Sequence, residues 1–250
     1  MSPPSASSPD AVRPRARVAV VGLGGLGCPA AWSLSHAGVD LRLLDEDRVE
    51  RSNLHRQSLY TDGDLGRAKV IAAAEALRGT GVALDPVAEH VTPDRALTLL
   101  AGVDAIVEGS DNLPTKFLVA DAARVLGLPV VHGACVGWMG TVLPVHPARG
   151  ACYRCVFEDI PRGDDAVDCA TAGVWGPLTA VVGALMAAEA LRLLRGNSAH
   201  AGSLARYDGW RQRFRVTDFA RRNDCPLCAP GAPAPSLTDA RYALEADDFA

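Results

Sequence analysis

The chain has 250 residues, a formal net charge of −4, and 48% apolar against 22% charged residues. That length holds one generous α/β domain with a sizeable core, and the composition excludes wholesale disorder, collagen-like repeats and a disulfide-dense scaffold. With no excess of basic residues, dedicated nucleic-acid binding is not expected. The basic residues are themselves skewed: 23 are arginine, and only Lys69 and Lys116 are lysine.

Residues 1–16, rich in Pro, Ser and Ala, read as a disordered N-terminal segment. Arg13, Arg15 and Arg17 followed by the uncharged run from Val18 to Leu34 mimic a signal peptide, but that run holds four glycines and a proline, and secretion is not expected. The pattern predicts a strand over Arg17–Val21, a helix over Leu26–Ala37 and a strand over Asp40–Leu44. After a polar stretch come a helix over Arg67–Arg78, a strand over Val82–Ala88 and a helix from Pro93 to Leu100. Asp104–Glu108 reads as a strand, Pro114–Leu126 as a helix and Pro129–Gly133 as a strand. Strands alternating with helices of ten to fifteen residues predict a doubly wound, mostly parallel α/β sheet of the Rossmann type.

Past Ala134 the rhythm changes. Trp138–His146, Leu204–Tyr207 and Gln212–Val216 read as antiparallel strands continuing the sheet, with a long helix from Ala172 to Leu194 among them. That helix overlaps twenty residues without formal charge, Cys169–Ala188, long enough to span a bilayer. Its glycines and Pro177, the flanking Asp168 and Glu189, and the lack of an aromatic belt favour a buried core or dimer helix, so no membrane span is expected. The chain divides into one domain over 17–228, with a nucleotide-binding part at 17–134 and a second part at 135–228. Residues 229–250 read as a loosely held C-terminal tail.

Gly22-x-Gly24-Gly25-x-Gly27 follows a predicted strand and opens a helix, so backbone amides and the helix N-terminus can meet a phosphate. Asp45, eighteen residues beyond Gly27 at the end of the next strand, stands where such folds take ribose hydroxyls. This pattern leaves NAD, FAD and ATP open. The following loop packs Asp47, Asn53, Arg56 and Gln57 together, with His55 as a spacer, before Gly66-Arg-Ala-Lys69 opens a helix, a row of groups suited to clamping a triphosphate rather than to hydride transfer. Asp111, in Gly109-Ser-Asp-Asn112 at another strand end, has the character of an Mg²⁺ ligand, or alternatively of a helix N-cap. Of seven cysteines, Cys152-x-x-Cys155 and Cys225-x-x-Cys228 supply the four thiolates of a closed structural Zn²⁺ site. Cys28 and Cys135 read as core. Cys169, just before the long helix, has the setting of a reactive thiolate.

In sequence order these pieces resemble the ThiF/MoeB/HesA family, relatives of the ubiquitin-activating enzymes. They are Gly22–Gly27, Asp45–Asp47, Ser52-Asn-Leu-His-Arg-Gln57, Gly66–Lys69, Ser110-Asp-Asn112, Cys152-Tyr-Arg-Cys155, Cys169–Pro177, Ala187–Leu194 and Cys225-Pro-Leu-Cys228. The resemblance implies adenylylation by Mg·ATP of the C-terminal glycine carboxylate of a ubiquitin-like sulfur carrier ending in Gly-Gly. The activated carrier is then ready for thiocarboxylate formation in thiamin, molybdopterin or related sulfur transfer. It implies that the glycine loop and Asp45 bind adenosine, that Asn53, Arg56 and Lys69 contact phosphates, and that Asp111 serves the metal, with Asp47 and Asn112 in the same nucleotide-binding motifs. It supports zinc at the paired cysteines and a covalent role for Cys169 with the carrier or with persulfide sulfur. A cytoplasmic homodimer and a separate sulfur donor are further expectations. Relatives begin with a helical segment that lends an arginine to the partner subunit's ATP; here only sixteen residues precede the first strand, leaving Arg13 or Arg15 as substitutes. Two other functions are compatible with the residues: an NAD-dependent oxidoreductase on the same loop, and a non-catalytic docking module stabilised by zinc.

Overall fold

The computed structural model describes residues 16–160, 173–237 and 242. Eight strands form one sheet in the order β3-β2-β1-β4-β5-β6-β7-β8. The strands are β1 (Arg17–Val21), β2 (Asp40–Leu44), β3 (Leu84–Val87), β4 (Ala105–Glu108), β5 (Val130–Val136), β6 (Met139–Val145), β7 (Ser203–Asp208) and β8 (Arg213–Asp218). The first five are mutually parallel, and β6 to β8 continue as antiparallel neighbours. The helices are α1 (Gly27–His36), α2 (Lys69–Leu77), α3 (Ala96–Leu100), α4 (Leu113–Leu126), α5 (Tyr153–Phe157) and α6 (Gly176–Leu194).

Strand residues alternate between two cores, as the pleat requires. Val18, Val20, Leu41, Leu43, Ala105 and Val107 face α1, α2 and α6. Ala19, Val21, Leu44 and Ile106 face α3, α4 and α5. Because both faces of the central strands are covered, their sequence is continuously apolar rather than alternating.

The long uncharged helix is a core element. α6 is long and apolar enough to cross a membrane by length and composition, and here it lies beside α1 and across β4 to β6. Its fit depends on missing side chains: a Cβ on Gly140 would lie 2.3 Å from Val182 Cγ2, and one on Gly133 would lie 2.2 Å from Met186 Sδ. The sheet thus carries a glycine slot that receives the helix.

Three differences from the sequence pattern have local causes. β5 continues to Val136, past the change of rhythm, because it hairpins directly into β6 through Gly137, which has a φ of 55°. α5, a short helix inside the first cysteine pair, had no apolar period to announce it. Two described residues of the 229–250 segment are held by the domain: Leu237 and Tyr242 are buried in the core on the α4 face, and the Tyr242 hydroxyl donates to Asp121.

Candidate nucleotide site and thiol cluster

The strand order reverses at β1 and β4, and the ends of these strands open a crevice where α/β sheets bind ligands. A cleft of about 710 Å³ occupies it, within the usual size of small-ligand sites. The glycine loop forms its floor. Gly22 has a φ of 79°, and a Cβ there would come within 2.9 Å of Ser110 N. A Cβ on Gly27 would overlap Gly22 O at 1.8 Å, so α1 starts tight against the turn. No side chain caps α1; Cys28 N and Ala30 N already donate to Gly24 O and Leu26 O and Pro29 has no N–H, so what the turn offers a phosphate is the glycine-loop backbone from Gly24 to Gly27 and the positive end of the helix.

Asp45 closes the loop from β2. Its Oδ2 accepts from Leu23 N at 2.6 Å and its Oδ1 from Asp47 N at 2.8 Å. Burial pushes its carboxyl above the ordinary value, opposed chiefly by Lys69. Lys69 is itself buried, at 5% exposure, with Nζ 2.7 Å from Asp47 Oδ2 and 3.8 Å from Asp45 Oδ1. The expected phosphate ligand therefore starts in the grip of two carboxylates.

The loop after β2 winds through a 3₁₀ turn over Arg51–Asn53, and Arg56 Nη2 donates to Asn53 Oδ1 at 2.9 Å. Arg56, Asn53 and Gln57 line the cleft. So does His55, read from sequence as a spacer; its Nε2 lies 3.4 Å from Arg56 Nη1. Gln57 is buried, with an Oε1 that has no partner among the described residues.

On the opposite wall, Ser110, Asp111 and Asn112 line the cleft at the end of β4. The N-cap of α4 is Asn112, whose Oδ1 accepts from Thr115 N at 2.8 Å. Asp111 is exposed and makes no bond with any described residue, so the capping alternative fails. Lys116 is buried in the first turn of α4. Its Nζ donates to Glu108 Oε2 and to Gly133 O, both at 2.7 Å.

Away from the cleft, Cys152, Cys155, Cys225 and Cys228 gather with all four Sγ atoms within 4.8 Å of one another. The Cys152–Cys155, Cys152–Cys225 and Cys155–Cys228 Sγ separations of 3.7, 3.5 and 3.4 Å approach the edge of about 3.8 Å that a tetrahedron with Zn–S bonds of about 2.3 Å would have. Four sulfur donors, all buried, fit a closed structural zinc site with no position for water. Arg222 N donates to Cys155 Sγ at 3.4 Å, the kind of outer contact that orients a thiolate ligand. Between the paired cysteines, Arg154 forms a buried ion pair with Asp121 of α4 at 2.8 Å.

The fold thus brings together Gly22, Gly24, Gly25, Asp45, Asp47, Asn53, Arg56, Lys69, Asp111 and Asn112 around one cleft, and the four zinc candidates in another place. Cys169, Arg13 and Arg15 lie outside the described residues. Cys28 is core, its thiol donating to Leu23 O at 3.2 Å and pushed up to about 12 by burial. Cys135 is half-buried and lines the cleft, a correction to its reading as core. Sequence reasoning missed Thr179 and Val174 from the α6 side and Glu89 and His90 beyond β3. The strand-end rule that found Asp45 would have found His90, which lies 2.9 Å from Glu46.

The model of the ThiF family matches residues 13–227. A sulfur carrier protein adenylyltransferase of Thermus thermophilus is 42% identical over 234 residues, covering 90% of this chain and 86% of its own. A SAMP-activating enzyme E1 of Haloferax volcanii is 40% identical over 230 residues, covering 90% and 84%. The adenylyltransferase and sulfurtransferase MOCS3 of Sus scrofa is 41% identical over 228 residues, of which this chain spans 50%. Among solved structures, E. coli MccB with AMPCPP and MccA superposes with a TM-score of 0.76 at 19% identity, covering 86% of this chain and 67% of that one, a likeness of fold.

Proposed function

The chain belongs to the ThiF family, and on that premise we propose that its cleft adenylylates the C-terminal carboxylate of a ubiquitin-like sulfur carrier at the expense of ATP. The observation that carries this reading is the cleft itself: the glycine loop, the Asn53–Arg56 pair and an Asp111 with no partner among the described residues converge on one 710 Å³ space. Relatives at 40–42% identity whose names specify this chemistry or E1 activation support it. They lend nothing to the oxidoreductase or docking-module alternatives.

The reaction asks little covalent chemistry of the protein. A carboxylate oxygen of the carrier attacks the α-phosphorus of ATP, an acyl–phosphate bond forms, the α–β phosphoanhydride breaks, and pyrophosphate leaves. The carboxylate is already ionised, so no general base is needed. The cleft supplies positioning and charge neutralisation. The glycine loop and Arg56 face the phosphates, Asp45 and Asp47 hold the nucleoside end, and Lys69 exchanges a carboxylate partner for a phosphate oxygen. Asp111 is the group that would hold Mg²⁺, which when bound offsets charge on the phosphate oxygens.

The finer assignments belong to the same proposal. Zn²⁺ at the four thiolates ties α5 to the segment after β8. The chain works as a homodimer in the cytoplasm, the carrier ends in Gly-Gly, and sulfur comes from a separate donor with Cys169 as its candidate attachment point. The test is carrier-dependent exchange of labelled pyrophosphate into ATP. Exchange that requires an intact Gly-Gly terminus is expected; none with any such carrier would sink the reading.

A further inference from the structure

We propose that Lys116 and Glu108 are positioning residues for Asp111: their buried ion pair fixes the Ser110–Asn112 turn, so that the Asp111 carboxylate meets the nucleotide's divalent cation at one set point. This rests on Asp111 as the cation-facing carboxylate of the function proposed above.

Glu108 ends β4 with no exposed surface, and both its oxygens are used. Oε1 accepts from Ser110 N at 2.8 Å and from the Ser110 hydroxyl. Oε2 lies 2.7 Å from Lys116 Nζ and 3.3 Å from His132 Nδ1. Lys116 also donates to Gly133 O, so one ammonium ties the end of β4, the start of α4 and the middle of β5. From the other side the turn abuts the glycine loop: Gly109 N donates to Val21 O at 2.9 Å, and Gly22 has no room for a Cβ against Ser110. Asn112 is spent on its cap. Gly109, Ser110 and Asn112 are therefore each tied down, and Asp111 lines the cleft with no bond to any described residue.

Stability does not account for this arrangement. Burying two charges costs about as much as their attraction returns, and apolar replacements of similar volume are often neutral or stabilising. The surroundings are already apolar, with Val107, Ile106 and Phe117 buried nearby in sequence. His132 Nε2 has no partner among the described residues, so the cluster is organised around Glu108 rather than around complete satisfaction of each member. What the ion pair supplies is a fixed direction for the turn.

The experiment measures Mn²⁺ binding to the full-length protein with ATP and no carrier, by electron paramagnetic resonance, alongside the Mg²⁺ dependence of pyrophosphate exchange. Lys116→Met is expected to weaken Mn²⁺ binding about tenfold, the usual scale for loss of a group behind a metal ligand. The Mg²⁺ concentration for half-maximal exchange should rise in step, with KM for the carrier unchanged, and Lys116→Arg should restore most of the loss. Wild-type Mn²⁺ affinity in a folded Lys116→Met protein overturns the proposal. If that variant does not fold, Ser110→Ala decides. It deletes one hydrogen bond to Glu108 and should weaken Mn²⁺ about fivefold, and wild-type affinity there overturns the proposal equally. Failure of the adenylylation reading looks different: no carrier-dependent exchange in the wild type, with the Lys116 dependence of Mn²⁺ binding still present.

Discussion

The nucleotide cleft and the thiol cluster handle their polar groups in opposite ways. At the cleft, Asp111 has no partner among the described residues, Arg56 is held from one side by Asn53, and Lys69 is held by carboxylates. At the cluster everything is closed: four buried thiols face one another, and Arg154, Asp121 and Tyr242 form a buried network behind them. An open set of charges makes sense only with a substrate to receive them. A closed set makes sense as a clamp, here joining α4, α5 and the segment after β8.

The contrast predicts separable losses. The largest belongs to the clamp: Cys155→Ser should release zinc and lower Tm by about 10 °C or more, a cost of several kcal/mol, read by metal analysis and thermal unfolding. Retained zinc with an unchanged Tm would remove the clamp from the argument. Next comes the cleft, where Arg56→Ala should cut pyrophosphate exchange about 10²–10³-fold while Tm stays within about 2 °C. A parallel fall in Tm would mean that Arg56 is structural.

A third prediction concerns acid. Burial raises the Glu108 carboxyl, but Lys116 and His132 more than offset this and hold it down to about 2, below its ordinary 4.5. The unfolded chain therefore takes up this proton first. The contribution to stability is complete above pH 4.5 and is lost between there and about pH 2. His132 is pushed below its ordinary 6.5 by burial, so its contribution is complete above that pH and is lost on descent from it. Urea unfolding between pH 3 and 7 should show both declines, and Glu108→Gln should flatten the lower one. The smallest effect is expected far from both sites: Trp210→Ala, at an exposed hairpin tip, should change stability by less than about 0.5 kcal/mol, although its ring touches Trp138 at 5.3 Å.

Much of this was legible beforehand. The five parallel strands announced themselves by apolar runs between helical periods, and the glycine loop and Asp45 by their place at strand ends. The paired cysteines were legible as ligands because 70 residues of sequence separation is no obstacle once β6 to β8 fold back on the sheet. The burial of Lys116 was not. Four residues reading Ala-Ile-Val-Glu suggest a strand with a solvated end, and only the crossing of β4, α4 and β5 shows that Glu108 is enclosed and needs a cation. The fit of α6 was hidden likewise, since Gly133 and Gly140 look like turn formers until Val182 and Met186 are seen to fill their places.

The scarcity of lysine acquires a chemical meaning from these positions. An acyl adenylate is a potent acylating agent, and amines are the groups it attacks most readily. Here the only two side-chain amines in 250 residues are 5% and 4% exposed, one locked between Asp45 and Asp47 and the other between Glu108 and a backbone carbonyl. Arginine carries charge over the rest of the surface without offering a nucleophile. A chain so built can generate an activated carrier at its own surface and keep its two lysines unmodified, and intact-mass spectra after many turnovers should show no carrier attached to Lys69 or Lys116.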